Sequence, residues 1–483
     1  MSPNIDILKK SPLDIQTSSA GSLVQIAPLK SARWVRSRFT AKATTEDGEV
    51  ILWNTYSGAV NVFQPERKAA IEKLLSTKGF SGELKGLSEY FYKRGFIVAQ
   101  GTDEYRRVRL LFGQDQFRDD ILELILLASE DCNFRCVYCY EDFARGTMLP
   151  SVRESIKKLV LKKASRLETL KISWFGGEPL YGYEAIEDLA PFFLETAEKY
   201  SLDYGSHMTT NGYLLTPDIA TQLLEWRILD YQITIDGDHR HHDKKRPTRD
   251  GLPTFDRIFS NLKFLKKRKE DFGATIRINF DQENYPDLDE FILVLQREFG
   301  GDERFKIAFN PVGRWGGPND ANLAVCGLNE TSHLSTRLQR FASDKGLNLA
   351  GTLEDSTKPG SQVCYAARPY NFIVGAHGQL MKCTIALDTK DYNVVGKLSP
   401  DGELLLDRDK FALWVEPVFE SDPTCQKCHL VPTCQGVHCP LIRFEDHVQP
   451  CPSTKRHTHE QLITLLQIKR NKARRYAANA SAI

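Results

Sequence analysis

The chain has 483 residues, 41% of them hydrophobic, with 64 basic against 63 acidic residues and a formal charge of +1. That length holds two or three domains with real cores, and the near-zero charge gives no global pull toward nucleic acid. No apolar run approaches the roughly 20 residues of a membrane-spanning helix and no signal-peptide pattern opens the chain, so a soluble, cytoplasmic protein without a membrane partner is expected.

Residues 1–34 read as a flexible N-terminus. Residues 35–115 read as an α+β module. Strands at 38–44 and 49–53 flank the hairpin turn Glu46-Asp47-Gly48, and a third strand at 59–63 follows Ser57-Gly58. Pro65 opens a helix whose Ala69, Ile71, Leu74 and Leu75 are spaced for one buried face. A second helix, 84–93, ends at Gly95 before a strand at 96–99. Three short strands followed by helices resemble a small winged-helix module, the peptide-recognition element of enzymes that modify ribosomally made peptides. The resemblance implies that a sheet edge takes a leader peptide as an added strand. A purely structural N-terminal extension is the alternative.

An apolar strand at 121–128 feeds directly into Cys132, Cys136 and Cys139. This spacing suits three ligands to one face of an iron–sulfur cube and leaves the fourth iron free, whereas four thiolates would close the cluster. A zinc site short of one ligand is the alternative on spacing alone. A helix at 151–166 and a strand at 170–175 follow, ending in Gly176-Gly177-Glu178-Pro179. The glycines let backbone approach a ligand closely and the proline fixes the exit from the turn. Together the two motifs resemble the radical S-adenosylmethionine (SAM) superfamily. The resemblance implies a [4Fe–4S] cluster whose open iron chelates the amino and carboxylate groups of SAM, and an electron that cleaves SAM to a 5′-deoxyadenosyl radical. It puts Tyr138 at the family's aromatic position and the Gly176–Pro179 turn near the methionyl ammonium, which needs acceptors away from water.

Further matches follow in chain order. Thr210-Asn211-Gly212 lies after a strand, and a strand at 231–236 ends in Thr234-Ile235-Asp236-Gly237. His242-Asp243 then precede Arg246, and Gly251 precedes Thr254-Phe255-Asp256. The resemblance implies that Asn211, Thr234 and Asp236 line the SAM pocket, with the Thr234 hydroxyl near the carboxylate. Arg246 reads either as a bidentate partner of that carboxylate or as part of a solvated basic run with Lys244 and Lys245. Strands at 274–280 and 305–312 bring residues 116–320 to about six βα units. The fold class is therefore α/β: a partial (β/α)6 TIM-type barrel collecting ligand groups at the C-terminal ends of its strands.

Residues 321–360 read as a bridging region in which Cys326 is a free core or surface cysteine, with a cluster ligand or active-site thiol as the alternative. Beyond them come Cys364, Gly378 and Cys383, then Cys425, Cys428, Cys434, Cys439 and Cys451. Residues 361–455 resemble the SPASM domain, a C-terminal cysteine-rich module. That implies two auxiliary iron–sulfur clusters of [4Fe–4S] type, one on Cys364, Cys383 and Cys439, the other on Cys425, Cys428, Cys434 and Cys451. The spacing departs from the usual pattern: four residues separate Cys434 from Cys439, and no cysteine shortly after Cys364 completes the first set. A zinc ribbon over 425–439 is the alternative. Residues 456–483 read as a basic surface helix, with Leu462, Leu465, Leu466 and Ile468 at helical spacing before Lys469, Arg470, Lys472, Arg474 and Arg475. Thiols in this number without a secretion signal point to a reducing compartment.

Over about residues 35–455 these features resemble radical SAM/SPASM peptide maturases. The resemblance implies hydrogen abstraction from a ribosomally made precursor peptide with a leader, closure of a thioether or carbon–carbon crosslink, and a flavodoxin- or ferredoxin-type reductant. An anaerobic sulfatase maturase is the second reading, although those enzymes carry an aspartate where Thr384 follows Cys383 here. A non-catalytic iron–sulfur carrier or zinc-stabilised binding protein is the third, and it has no need of a SAM pocket.

Overall fold

The structure is a computed structural model that describes residues 13–14, 33–387 and 390–480. The expected flexible segment 1–34 lies largely outside the described residues. The chain forms two compact units, one assembled from residues 1–116, 351–364 and 417–483, the other from 117–350 and 365–416. Residues 361–455 are thus shared between both units.

The second unit is built on one ten-stranded sheet. Six strands, Ile121–Ser129, Thr169–Gly176, Asp203–Thr210, Asp230–Thr234, Gly273–Phe280 and Phe305–Pro311, lie side by side in sequence order and all parallel. Helices connect them, as parallel neighbours require. Pro150 and Pro217 each start a helix at a position whose amide has no partner to lose, and Thr216 caps the second by accepting from Ile219 N. Asp243, in the stretch before Thr254, accepts from the amides of Thr254 and Phe255, both at 2.8 Å, and so caps the helix Phe255–Lys267. The apolar residues of these strands are buried on the helix side, including Leu124, Leu126, Ile172, Trp174, Met208, Ile233, Ile276 and Ile278, each no more than 1% exposed. The expected partial (β/α)6 barrel is therefore what forms. On its other flank, Asn371–Val374 pairs parallel to Ile121–Ser129, and Gln379–Met381, Val394–Leu398 and Leu404–Leu406 continue the sheet antiparallel.

The first unit contains a four-stranded sheet in which Thr40–Thr44, Val50–Asn54 and Val60–Phe63 form an antiparallel meander and Leu13–Asp14 adds at the Val60–Phe63 edge. The strands expected at 38–44, 49–53 and 59–63 appear within a residue or two. A second sheet was not foreseen: Arg33–Arg36 pairs with both Phe80–Ser81 and Ile97–Ala99. A helix Glu104–Gln116 was also not foreseen. The helix after Pro65 runs Lys68–Leu74 and buries Ile71, but Ala69 is exposed, because two residues of α-helix turn it about 200° away from Ile71.

The C-terminal helix, Thr454–Ala480, corrects a second expectation. It is no surface helix: Leu462, Leu465 and Leu466 are at most 2% exposed and share a core with Ala41, Ile51, Trp53, Val60, Val62, Leu353 and Leu430. Two of its basic residues are partnered too, Arg470 holding Glu49 at 2.6 and 2.8 Å and Lys469 pairing with Glu354. Among the described residues no helix is long and apolar enough to cross a membrane.

Candidate functional site

Cys132, Cys136 and Cys139 occupy the loop that leaves the C-terminal end of the first barrel strand. All three line one cavity of about 200 Å³, walled by Phe134, Tyr138, Tyr140, Phe143, Phe175, Gly176, Gly177, Thr209, Thr210, Asn211, Gln232, Thr234, Arg246, Arg277 and Asn279. Successive strands deliver these groups from their C-terminal ends, the place where such a sheet offers its ligand groups. The loop is tightened by Cys139 N donating to Cys136 O at 3.1 Å, and the Cys132 sulfur accepts from Phe134 N at 3.3 Å. Burial raises all three thiols, Cys139 to about 12, so the free protein holds them protonated and a cation is needed to draw off the protons. None of the described cysteines forms a disulfide.

The glycine pair works differently from the reason first given for it. A Cβ on Gly176, whose φ is +122°, would lie 2.0 Å from Ser129 O, and one on Gly177 would lie 2.6 Å from Asp131 O. The close approach the glycines allow is thus to the cysteine loop itself, sealed by Gly177 N to Ser129 O at 3.0 Å and Glu178 N to Asp131 O at 3.1 Å. Glu178 and Pro179 are buried and absent from the cavity wall. The Glu178 carboxylate turns inward and accepts from Leu180 N, Thr210 Oγ1 and Asn211 N at 3.0, 2.7 and 2.7 Å, tying the second strand's turn to the end of the third. Burial outweighs these donors and raises its pKa to about 6.

Asp236 likewise stands behind the wall. Its carboxylate accepts from Asn279 N at 2.9 Å and from the Tyr138 hydroxyl. That hydroxyl in turn accepts from Arg246 Nη1 at 2.7 Å and Asn279 Nδ2 at 3.0 Å. Burial keeps the phenol neutral and holds the neighbouring His242, whose Nδ1 accepts from Asp236 N, uncharged. Arg246 is 7% exposed, and its buried Nε has no hydrogen-bond partner among the described residues. The solvated-run alternative applies to Lys244 alone, since Lys245 is buried in an ion pair with Asp281. A buried cation with a spare donor, beside three thiols and with no fourth thiol on the wall, fits a cluster with an open iron and an anionic group bound next to it. Arg277 and Asn279 were missed in the sequence, although two polar residues alternating through the apolar strand Gly273–Phe280 mark its inward face.

The remaining cysteines gather unequally. Cys425, Cys428, Cys434 and Cys451 lie together in the first unit, the first and third buried and raised to about 12 by burial and by their neighbouring thiols. Four thiols within electrostatic reach of one another and in no disulfide are the kind of soft donors that an iron–sulfur cluster takes. Cys364 and Cys439 belong to the same unit, whereas Cys383 belongs to the other. Cys326 is buried and in no disulfide.

Residues 126–295 match the Radical SAM superfamily model. The chain carries a radical SAM domain, and members of that superfamily are enzymes. Among curated proteins it is 25% identical over 210 residues to the radical SAM cyclopropyl synthase TigE of Paramaledivibacter caminithermalis, covering 39% of this chain and 42% of that protein. It is 31% identical over 160 residues to a cysteine-type anaerobic sulfatase-maturating enzyme of Clostridium perfringens, covering 31% and 42%. The chain thus spans less than half the length of these two relatives. Among solved structures, anSMEcpe with bound AdoMet and the Cp18Cys peptide superposes with a TM-score of 0.53 at 20% identity, covering 75% of this chain and 99% of that one, which establishes the shared fold.

Proposed function

We propose that the protein is a radical SAM/SPASM enzyme that modifies a ribosomally made precursor peptide, installing a thioether or carbon–carbon crosslink. The observation that carries this reading is the convergence of Cys132, Cys136 and Cys139 on one cavity that also receives the buried, partly unpaired Arg246. In this reading the three thiols hold a [4Fe–4S] cluster, and Thr234, Asn211, Arg246 and the Gly176–Gly177 backbone bind SAM. When bound, cluster and SAM supply a deoxyadenosyl radical able to take hydrogen from an unactivated carbon, which no acid–base side chain can do. The chain contributes binding and shape. Arg246 offers a fixed cation for a carboxylate. Tyr138, held by Asp236, Asn279 and Arg246, cannot swing into the cavity. Phe134, Phe143 and Phe175 exclude water from a reactive site. The TigE likeness supports carbon–carbon bond formation, and the peptide bound in the anSMEcpe structure supports a peptide substrate. The α+β module of residues 35–115, with its short antiparallel sheets, is read as the leader-peptide dock. A flavodoxin- or ferredoxin-type protein is read as the electron source, and the cytoplasm as the site of action.

Anaerobic reconstitution followed by dithionite and SAM tests the reading. About twelve irons per chain, the content of three four-iron clusters, with 5′-deoxyadenosine formed, is the expected outcome. Bound zinc with no SAM cleavage overturns it. The sulfatase-maturase reading is favoured by the 31% identity to the clostridial enzyme. Against it stands Thr384, whose hydroxyl bonds Tyr365 at 2.8 Å where those enzymes are expected to carry a carboxylate. Conversion of a sulfatase-motif peptide cysteine to formylglycine would decide for it.

A further inference from the structure

The four-thiol site has one feature that a structural metal does not require. Cys451 is exposed, and its sulfur accepts a hydrogen bond from Lys455 Nζ at 3.2 Å. Lys455 is half-buried and fixed by its backbone, its amide donating to Pro452 O at 2.9 Å in the first turn of the helix Thr454–Ala480. Its ammonium also lies within electrostatic reach of Cys425 and Cys428. The other thiols are served by backbone: Leu430 N reaches Cys428 at 3.4 Å, and the Gly436 amide serves Cys434. Among the described residues, Lys455 is the one charged side chain that hydrogen-bonds these four sulfurs.

A cubane on four thiolates is already a net anion, and reduction adds one more negative charge. A cation hydrogen-bonded to a ligand sulfur offsets that charge more in the reduced state than in the oxidised one, so it raises the reduction potential. A backbone amide does this weakly; an ammonium in a half-buried position does it more strongly. Zinc, with no redox chemistry, gains nothing of this kind.

We propose that Lys455 is a positioning residue that sets the potential of the cluster on Cys425, Cys428, Cys434 and Cys451, raising it so that this cluster accepts the electron released when the substrate radical closes its new bond. The balance is one C–H bond broken by hydrogen-atom transfer to the deoxyadenosyl radical, one S–H or C–H bond of the second reacting group broken with its proton going to solvent, one new bond formed, and one surplus electron passed to the oxidised cluster, which an oxidised flavodoxin- or ferredoxin-type carrier then reoxidises. The inference rests on the reading that these thiols hold iron and sulfide.

The test is a redox titration followed by electron paramagnetic resonance of the full chain in which Cys132, Cys136 and Cys139 are changed to Ala, so that only auxiliary signals remain. The signal lost on Cys428→Ala is assigned to this site. In that background Lys455→Met, which keeps the alkyl stem and removes the charge, shifts the assigned midpoint to more negative potential, and Lys455→Arg restores it. A second auxiliary signal stays where it was. An unchanged midpoint in Lys455→Met, with the signal intact, overturns the role of Lys455 and leaves the three-cluster reading standing. Iron content unaltered by Cys428→Ala, with zinc present instead, overturns both. Should Lys455→Met lose its metal, Lys455→Gln gives the same comparison with a neutral donor retained, and a midpoint equal to the parent's again overturns the proposal.

Discussion

Cys132, Cys136 and Cys139 come from a single loop and face a cavity whose walls are contributed by successive strands. Cys425 and Cys434 sit on the short helices Pro423–Gln426 and Val431–Cys434, Cys428 and Cys451 on the loops beside them, and the four lie within electrostatic reach of one another. The first set is short of a ligand and is surrounded by side chains with donors to spare, Arg246 foremost. The second has four thiols and is surrounded by backbone amides and one lysine. The difference teaches that the same thiol chemistry is directed to two ends by what surrounds it. In the proposed reading the incomplete set beside a cavity takes a ligand that reacts, and the set of four takes only electrons.

The sharpest way to break this comparison is to remove one thiol from each site. Cys136→Ala is expected to abolish 5′-deoxyadenosine formation, whereas Cys428→Ala is expected to lower the iron content by about four per chain while SAM cleavage persists. Loss of cleavage in both variants would mean the sites are not separable. Next in size, Arg246→Met is expected to weaken SAM binding about 10- to 100-fold, the worth of a charge-assisted hydrogen bond, as read by equilibrium dialysis. Unchanged affinity would place the carboxylate elsewhere.

Glu178 sharpens the comparison from the stability side, since it holds the cavity's shape without lining it. Glu178→Gln replaces one of two acceptor oxygens by a donor facing buried donors, and is expected to cost about 2–3 kcal/mol in denaturant unfolding at pH 7. Its pKa also fixes a sign. The folded value near 6 lies above the ordinary 4.5, so folding takes up a proton between those values. Stability from this group is therefore full below about 4.5 and is lost as pH rises through 6, by about 1–2 kcal/mol. Glu178→Gln removes that part of the slope, and a slope that persists would assign it to another group. Smallest of all, Arg470→Ala takes the half-exposed arginine away from the buried Glu49 carboxylate and is expected to cost about 1–2 kcal/mol in thermal unfolding.

Much of the active half was legible because its signals are local. Cys132, Cys136 and Cys139 share one loop, the strand that feeds it is a largely apolar run, and Pro150 and Pro217 mark their own helix starts. Residues acting across the sheet were not: Arg277 and Asn279 reach the cavity only because Gly273–Phe280 pairs with Asp230–Thr234 in one register. Glu178 and Asp236 were correctly placed at strand ends, but the side to which each carboxylate turns depends on donors from the next strand. The C-terminal helix misled for a related reason. Its leucines announce a buried face, and nothing local says that the face is covered by residues more than 400 positions earlier.

The sequence by itself determined the six-unit parallel barrel, the three-thiol loop and the supply of further thiols, since each is written in spacing and periodicity over a few tens of residues. The tertiary structure alone decided that Arg246 is buried with a donor unpaired and that Glu178 braces the wall it was expected to line. It also joined residues 1–116, 351–364 and 417–483 into one unit and brought Lys455 to the Cys451 sulfur. These are matters of which groups meet when apolar faces find their cover, and burial then fixes the charge and hydrogen-bond state of whatever polar atoms are carried in with them.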